Sequence, residues 1–250
     1  MVGNLLLRGM LAGVVAGLLA FGFARVFGEP QVDRAIAFEQ QMSRAKGEAH
    51  RHEPELVSRE TQAGLGLFTG MLVYGAAMGG LFALVFAFVY GRVGGLGPRG
   101  TAALLALGAF VALVLVPGLK YPANPPSAGS EDTIGIRTQL FFAMLVISVT
   151  AMALAVALAR RLAAPYGTWN GALVAGAAFV VVVAIAQVAL PEINEVPQQF
   201  SATLLWQFRL ASLGIHVVLW TTLGLLFGAL TERSLAERPG GWLAKRPASR

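Results

Sequence analysis

The sequence predicts an all-α fold, a polytopic membrane helical bundle of six transmembrane helices. Three observations lead there. The chain is 56% hydrophobic and 13% charged, with a mean hydropathy of +0.67; soluble domains carry about 25% charge. Apolar runs of about 20 residues recur, each long enough to cross roughly 30 Å of hydrocarbon as a helix. Between the runs, charges and prolines gather in connecting peptides, as in KYPANPPSAGSEDTIGIRTQ (Lys120–Gln139), which separates two stretches with no charge at all. A soluble core this apolar would leave too little polar sequence to cover its surface.

The elements follow in order. The first span, Leu5–Phe27, has Arg8 ahead of its apolar run, as a signal peptide would. The run exceeds a typical h-region and no Ala-x-Ala site follows, so a retained helix is expected. The first outer loop covers 28–66, and its segment PQVDRAIAFEQQMSRAKGEAHRHE reads as a polar helix with a thin apolar face. Pro30 suits the first turn of that helix, where a missing N–H costs nothing. The remaining spans are expected at Leu67–Tyr90, Thr101–Leu119, Gln139–Ala159, Asn170–Leu190 and Phe208–Leu230. A single integral membrane domain then occupies 1–232, followed by a basic cytoplasmic tail, 233–250.

Charge gives direction. With a cytoplasmic N-terminus, ten of the nineteen basic residues lie inside, and five of the outer nine sit in the long first loop, where the positive-inside rule is weak. Both termini are therefore expected on the cytoplasmic side. Eleven of the thirteen carboxylates then fall outside, which would attract cations to that mouth. A sequence pI near 10.3 does not point to nucleic acid, because the basic residues are spread through membrane loops rather than clustered. The chain has no cysteine, which excludes disulfides, thiolate metal sites and cysteine nucleophiles. No GxSxG, HExxH or Walker loop occurs, so no enzyme and no intrinsic ATPase is expected.

A weak repeat runs through the spans. Each odd span ends at a proline-marked peptide (FGEPQVD, VPGLKYPANPP, ALPEINEVPQQ), and each even span begins near an arginine with a glutamine close by: Arg59 with Gln62, Arg137 with Gln139, Arg209 with Gln207. The pattern suggests three repeated helical hairpins, pairing spans one with two, three with four and five with six; transporters often place substrate sites where such repeats meet. Glycines spaced by four, among them Gly9, Gly13 and Gly17, Gly66 and Gly70, Gly75 and Gly79, and Gly224 and Gly228, mark faces where another helix can approach closely.

Candidate metal ligands fall in two places. At the outer mouth, EAHRHE offers Glu48, His50, His52 and Glu53, a donor set suited to a borderline divalent metal. Two histidines at i, i+2 share no helix face, so they would share a metal only from an extended or loop conformation. A solvated charged loop is the simpler reading of that segment. Asn124, Glu131 and Asp132 in the second outer peptide, with Glu192 and Glu195 in the third, add oxygen donors. Within the last span, Arg209, Ser212 and His216 stand at i, i+3 and i+7 on one face. An ionisable residue inside a span marks a functional site by default, although a histidine bonded to a neighbouring backbone would look the same in sequence. Met71, Met78, Met144 and Met152 read as packing rather than soft ligands.

VPGLKYPANPPSAGSEDTIGIRTQLFF resembles the signature of the CbtA family, predicted cobalt transporter subunits. GEPQVDRAIAFEQ, SRETQAGLGLFTG and LPEINEVPQQFSATLLWQFRLASLG are similar to the same family, so the resemblance runs from Gly3 to about Glu232. It implies a small membrane protein linked to cobalamin biosynthesis that takes up Co²⁺ with a short single-span, histidine-bearing partner, CbtB, and holds no permanently bound cofactor. It brings no residue-level mechanism. YPANPP cannot continue a helix, since Pro122, Pro125 and Pro126 fix an extended turn after Tyr121. Lys120 and Arg137 are expected to pair with Glu131 and Asp132, while Arg59, Arg137 and Arg209 hold the outer loops as one cap. Metal would meet the loop carboxylates and His50 or His52 first, then His216. The alternative is a membrane scaffold or regulatory subunit that lines no path.

Overall fold

Five helical runs among the described residues are long and apolar enough to cross a membrane: Val2–Ala45, Arg59–Val89, Pro98–Lys120, Ile134–Ala189 and Ala202–Ala236. The structure is a computed structural model and describes residues 2–45, 57–126, 128–130 and 132–236. No strand occurs among these residues. Helix α1 (Val2–Phe23) passes through a π-helical turn, Ala24–Gly28, into α2 (Glu29–Ala45). The short α3 (Arg59–Thr61), capped by Ser58, enters α4 (Leu67–Val89) through a second π turn, Gln62–Gly66. A third π turn, Val111–Leu115, divides α5 (Pro98–Phe110) from α6 (Val116–Lys120). Helices α7 (Ile134–Ala189) and α8 (Ala202–Ala236) complete the described residues.

The polar first-loop helix is present as α2, but it runs straight on from the first span instead of restarting at Pro30. A proline in a first turn removes only an N–H that the π turn before it can spare. The fourth and fifth expected spans form one 56-residue run, because ARRLAAPYGTWN stays helical on both sides of a single break. That break is Gly167, at φ 82° and ψ 157°, a left-handed conformation that favours glycine. The two arms fold back on each other. A Cβ at Gly171 would lie 3.1 Å from Ala159 O and Ala163 N, whereas twelve residues of straight helix span about 18 Å. Met144 and Ala186 meet in one buried cluster with Val116 and Tyr121.

Helices α1 and α4 lie antiparallel with their backbones nearly touching, since a Cβ at Gly13 would sit 2.0 Å from Gly75 O and one at Gly9 2.2 Å from Gly79 O. Lipid gives helices no hydrophobic reason to associate, so such pairs depend on close van der Waals approach. Gly224 and Gly228 seat α8 on α5 less tightly, since a Cβ there would lie 2.5 Å from Ala106 Cβ and 3.1 Å from Ala102 Cβ. Gly70 has nothing within reach and takes no part in this packing. The hairpin expected from the first pair of spans is formed by α1 and α4, while α8 packs chiefly on α1 and α5 rather than on the helix before it. The main core gathers Ala12, Ala16 and Ala20 of α1, Phe82 and Phe86 of α4, and Leu219, Trp220, Leu223 and Phe227 of α8. Large apolar residues such as Phe88 and Val188 face outward, as a lipid-facing surface requires.

Candidate functional site

Proline chemistry builds the end of the bundle that the charge pattern of the sequence reads as outer. The prolines of YPANPP hold the chain extended and contribute no N–H, so the peptide's carbonyls are free to accept bonds from elsewhere. Arg137, at the start of α7, donates through Nη2 to Pro122 O (2.7 Å) and through Nη1 to Glu195 Oε2 (3.4 Å). Arg209, in α8, donates through Nε to Ala123 O (3.3 Å) and through Nη2 to Asn124 Oδ1 (2.9 Å). Two guanidinium forks thus share one hexapeptide, using the bidentate geometry that lysine lacks. Tyr121 OH donates to Pro191 O (2.8 Å), and burial holds its phenol pKa above the ordinary value, so it stays a protonated donor at neutral pH. Pro125 is buried and its carbonyl accepts from Ala128 N (3.2 Å), while Pro126 is exposed. Lys120 Nζ donates to Gln187 O (2.7 Å), and Gln187 Nε2 returns a bond to Val116 O (3.1 Å).

The first outer segment joins the same layer. Arg59 pairs with Glu29 and with Asp33 (3.1 Å), which closes the two ends of the first loop. Arg34 Nη1 reaches Gln207 Oε1 of α8 at 3.1 Å. Ala35 and Phe38 of α2 pack with Ala128 of the second outer peptide, Phe200 of the third and Leu204 in the first turn of α8. The three outer segments therefore meet in one cap.

Lys120 lies 3.9 Å from Glu192, and Arg137 pairs with Glu195, so these ion pairs run to the third outer peptide; no ion pair to Asp132 occurs among the described residues, and the expected pairing with Glu131 lies outside them. The reason is topological, since Arg137 lies one helical turn into α7 and faces the chain that returns from its far arm. Asn124 and Glu195, read from sequence as cation ligands, have their oxygens facing arginine. Glu195 is 2% exposed, and its second oxygen, Oε1, is buried without a partner. Glu192 is open to solvent, and Asp132 is exposed just before α7. Glu48, His50, His52, Glu53 and Glu131 lie outside the described residues. Among the described residues, no three His, Cys, Asp or Glu side chains come together as a metal cage.

His216 stands apart from the cap, deeper in α8. It shares a helical face with Arg209 and Ser212, as the spacing predicts. Its Nδ1 is buried and has no hydrogen-bond partner, and the same holds for Trp220 Nε1 one turn further on. Sequence reasoning missed Trp220, Gln187 and Glu29. The signals were present: Trp220 at i+4 from His216, Gln187 as an isolated polar residue in an apolar run, and Glu29 directly behind the first span.

The comparison with known families bears on this geometry. A family described as "Probable cobalt transporter subunit (CbtA)" matches residues 2–232, which takes in the cap, the YPANPP peptide and all of the helices up to the last turn of α8. The chain belongs to the CbtA family. It is thus a membrane protein of a family described as probable cobalt transporter subunits. No curated protein and no solved structure matches it.

Proposed function

We propose that this CbtA chain is the permease subunit of a divalent metal uptake transporter, carrying Co²⁺ inward for cobalamin biosynthesis with a small single-span, histidine-bearing partner of the CbtB kind. The observation that carries the reading is the family match over nearly the whole chain, on a bundle that holds an unpartnered imidazole inside an apolar helix. The reading places the chain in the inner or plasma membrane with six crossings, the two arms of α7 supplying two of them, and both termini in the cytoplasm. Neutral imidazole is a ligand well matched to Co²⁺, whereas the outer carboxylates suit capture of a hydrated cation. His50, His52, Glu48, Glu53, Glu131 and Asp132 keep their proposed role as the outer capture set, with exposed Glu192 beside them. Asn124 and Glu195 join it only when Arg209 or Arg137 releases them.

One observation favours a second reading, a scaffold or regulatory subunit that lines no path. The polar groups of the cap are largely bonded to one another, and arginines take oxygens that a cation would need. Radioactive cobalt uptake separates the readings when measured in cells lacking other cobalt importers. The chain is expressed with and without the small partner, with nickel as competitor. Uptake above background with the partner present supports the permease subunit; background counts in both cases, with the protein confirmed in the membrane, leave the scaffold.

A further inference from the structure

Below His216 the core of the bundle changes character. Trp220 meets Phe82 of α4 with ring centroids 6.4 Å apart, and Phe82 meets Phe227 at 5.3 Å. Phe227 meets Phe86 at 5.0 Å, and Phe86 stacks on Tyr90 at 5.1 Å. This aromatic column runs from the middle of α8 to the end of α4, and Phe82, Phe86 and Phe227 are all at most 4% exposed. On the other side of His216, the same face of α8 carries Ser212 and then Arg209, which reaches the cap at Asn124. Polar positions therefore follow one face of α8 inward from the cap as far as His216, give way to the column, and return at Thr231 beyond Phe227.

Two nitrogens at that junction are buried without a partner, as is Thr231 Oγ1 further along α8. An unbonded polar group in an apolar interior costs on the order of 1–3 kcal/mol. Trp220 is 4% exposed and its indole N–H has no acceptor, while His216 Nδ1 has no partner. Their chemistry specifies what they lack. An indole N–H only donates, so it repels a bare cation and needs an oxygen. A neutral imidazole nitrogen accepts a hydrogen bond or ligates a metal. A water oxygen satisfies both demands, because one lone pair takes the indole proton while the other faces a cation.

We propose that His216 and Trp220 form a binding station for a divalent cation that retains at least one water ligand, and that the column from Trp220 to Tyr90 is the gate closing this station toward the inner end. The inference rests on reading His216 as part of an ion path and adds Trp220 as the residue that holds the ion's water, as outer-shell donors do at metal sites.

The chain has no cysteine, so single cysteines report without interference. Ser212→Cys above the station and Thr231→Cys below it are placed in the full chain and exposed, in right-side-out membranes, to an impermeant thiol reagent. The expected result is labelling of S212C, slowed by added Co²⁺, and no labelling of T231C. Trp220→Phe keeps the ring and removes only the N–H, and should weaken Co²⁺ protection of S212C about tenfold. Phe227→Ala should open T231C to the reagent, and Phe227→Leu, which keeps more of the packing, should do so less. Equal labelling of both cysteines, no labelling of S212C, or protection unchanged in Trp220→Phe would overturn the proposal. The assay needs no net transport. Absent cobalt uptake with the expected labelling pattern would remove the permease reading and leave the gated station standing, whereas active uptake with S212C inaccessible would do the reverse.

Discussion

A methyl group at Gly13 would sit 2.0 Å from the carbonyl oxygen of Gly75, and the position of each is fixed by its own backbone. No side-chain rotation relieves it, so α1 and α4 must part. Gly13→Ala is expected to lower stability by about 3 kcal/mol, the upper range for overpacking, read as a fall in thermal midpoint in detergent. Gly70→Ala is the matched control, with open space around it and no expected loss. The four-residue glycine spacing was legible in the sequence, but it marks Gly70 as readily as Gly13, because spacing does not say which face meets a neighbour. At the cap, Arg209→Lys should behave nearly as badly as Arg209→Ala, since an ammonium cannot bridge Ala123 O and Asn124 Oδ1 as a fork does. Losing two charge-assisted bonds at a partly exposed site is expected to cost about 2 kcal/mol, seen as faster proteolysis of the outer peptides in intact cells. The arginine at the start of each even span was visible in sequence. Its partners were not, because Arg137 and Glu195 are 58 positions apart and only the return of α7 joins them.

At the level of elements, α7 decides the topology. A straight 56-residue helix would be about 84 Å long, far beyond the roughly 30 Å of a hydrocarbon core. On the proposed topology the break at Gly167 lets its arms make two crossings, and an even total would put both termini on one side. A topology reporter inserted at residue 167 is expected to read cytoplasmic, like reporters at the N-terminus and after residue 236. A reporter at 167 reading outside, or termini on opposite sides, would contradict six crossings. The apolar runs marked the five long helices, but not that the first continues to Ala45 or that the fourth and fifth expected spans form a single run, because hydropathy says little about where polar helix carries on. The three π turns were invisible beforehand, because one extra residue in a helical turn leaves no periodic mark. All three lie toward the end of the bundle that carries the cap, and two of them adjoin residues that build it, Glu29 and Arg59. The expected pairing of the last two spans fails for a comparable reason: Gly224 and Gly228 fit α5 more closely than anything in α7, a choice of partner that spacing alone does not encode.

For the molecule as a whole, the polar residues fall into two proposed roles. The cap is held by arginines and prolines, and the proposed path is marked by unpartnered nitrogens of α8. Composition made the membrane class plain and resemblance brought the family, while the division of roles emerged only from the folded arrangement. The central claim is that metal passes His216. The direct test compares cobalt uptake by His216→Ala with the original chain, at matched membrane level and with the small partner present. The account expects uptake to fall at least about tenfold while the cap and the fold persist, consistent with removing a metal ligand. Unchanged uptake by His216→Ala would contradict it, place the path elsewhere, and leave that histidine as a packing residue of the last helix.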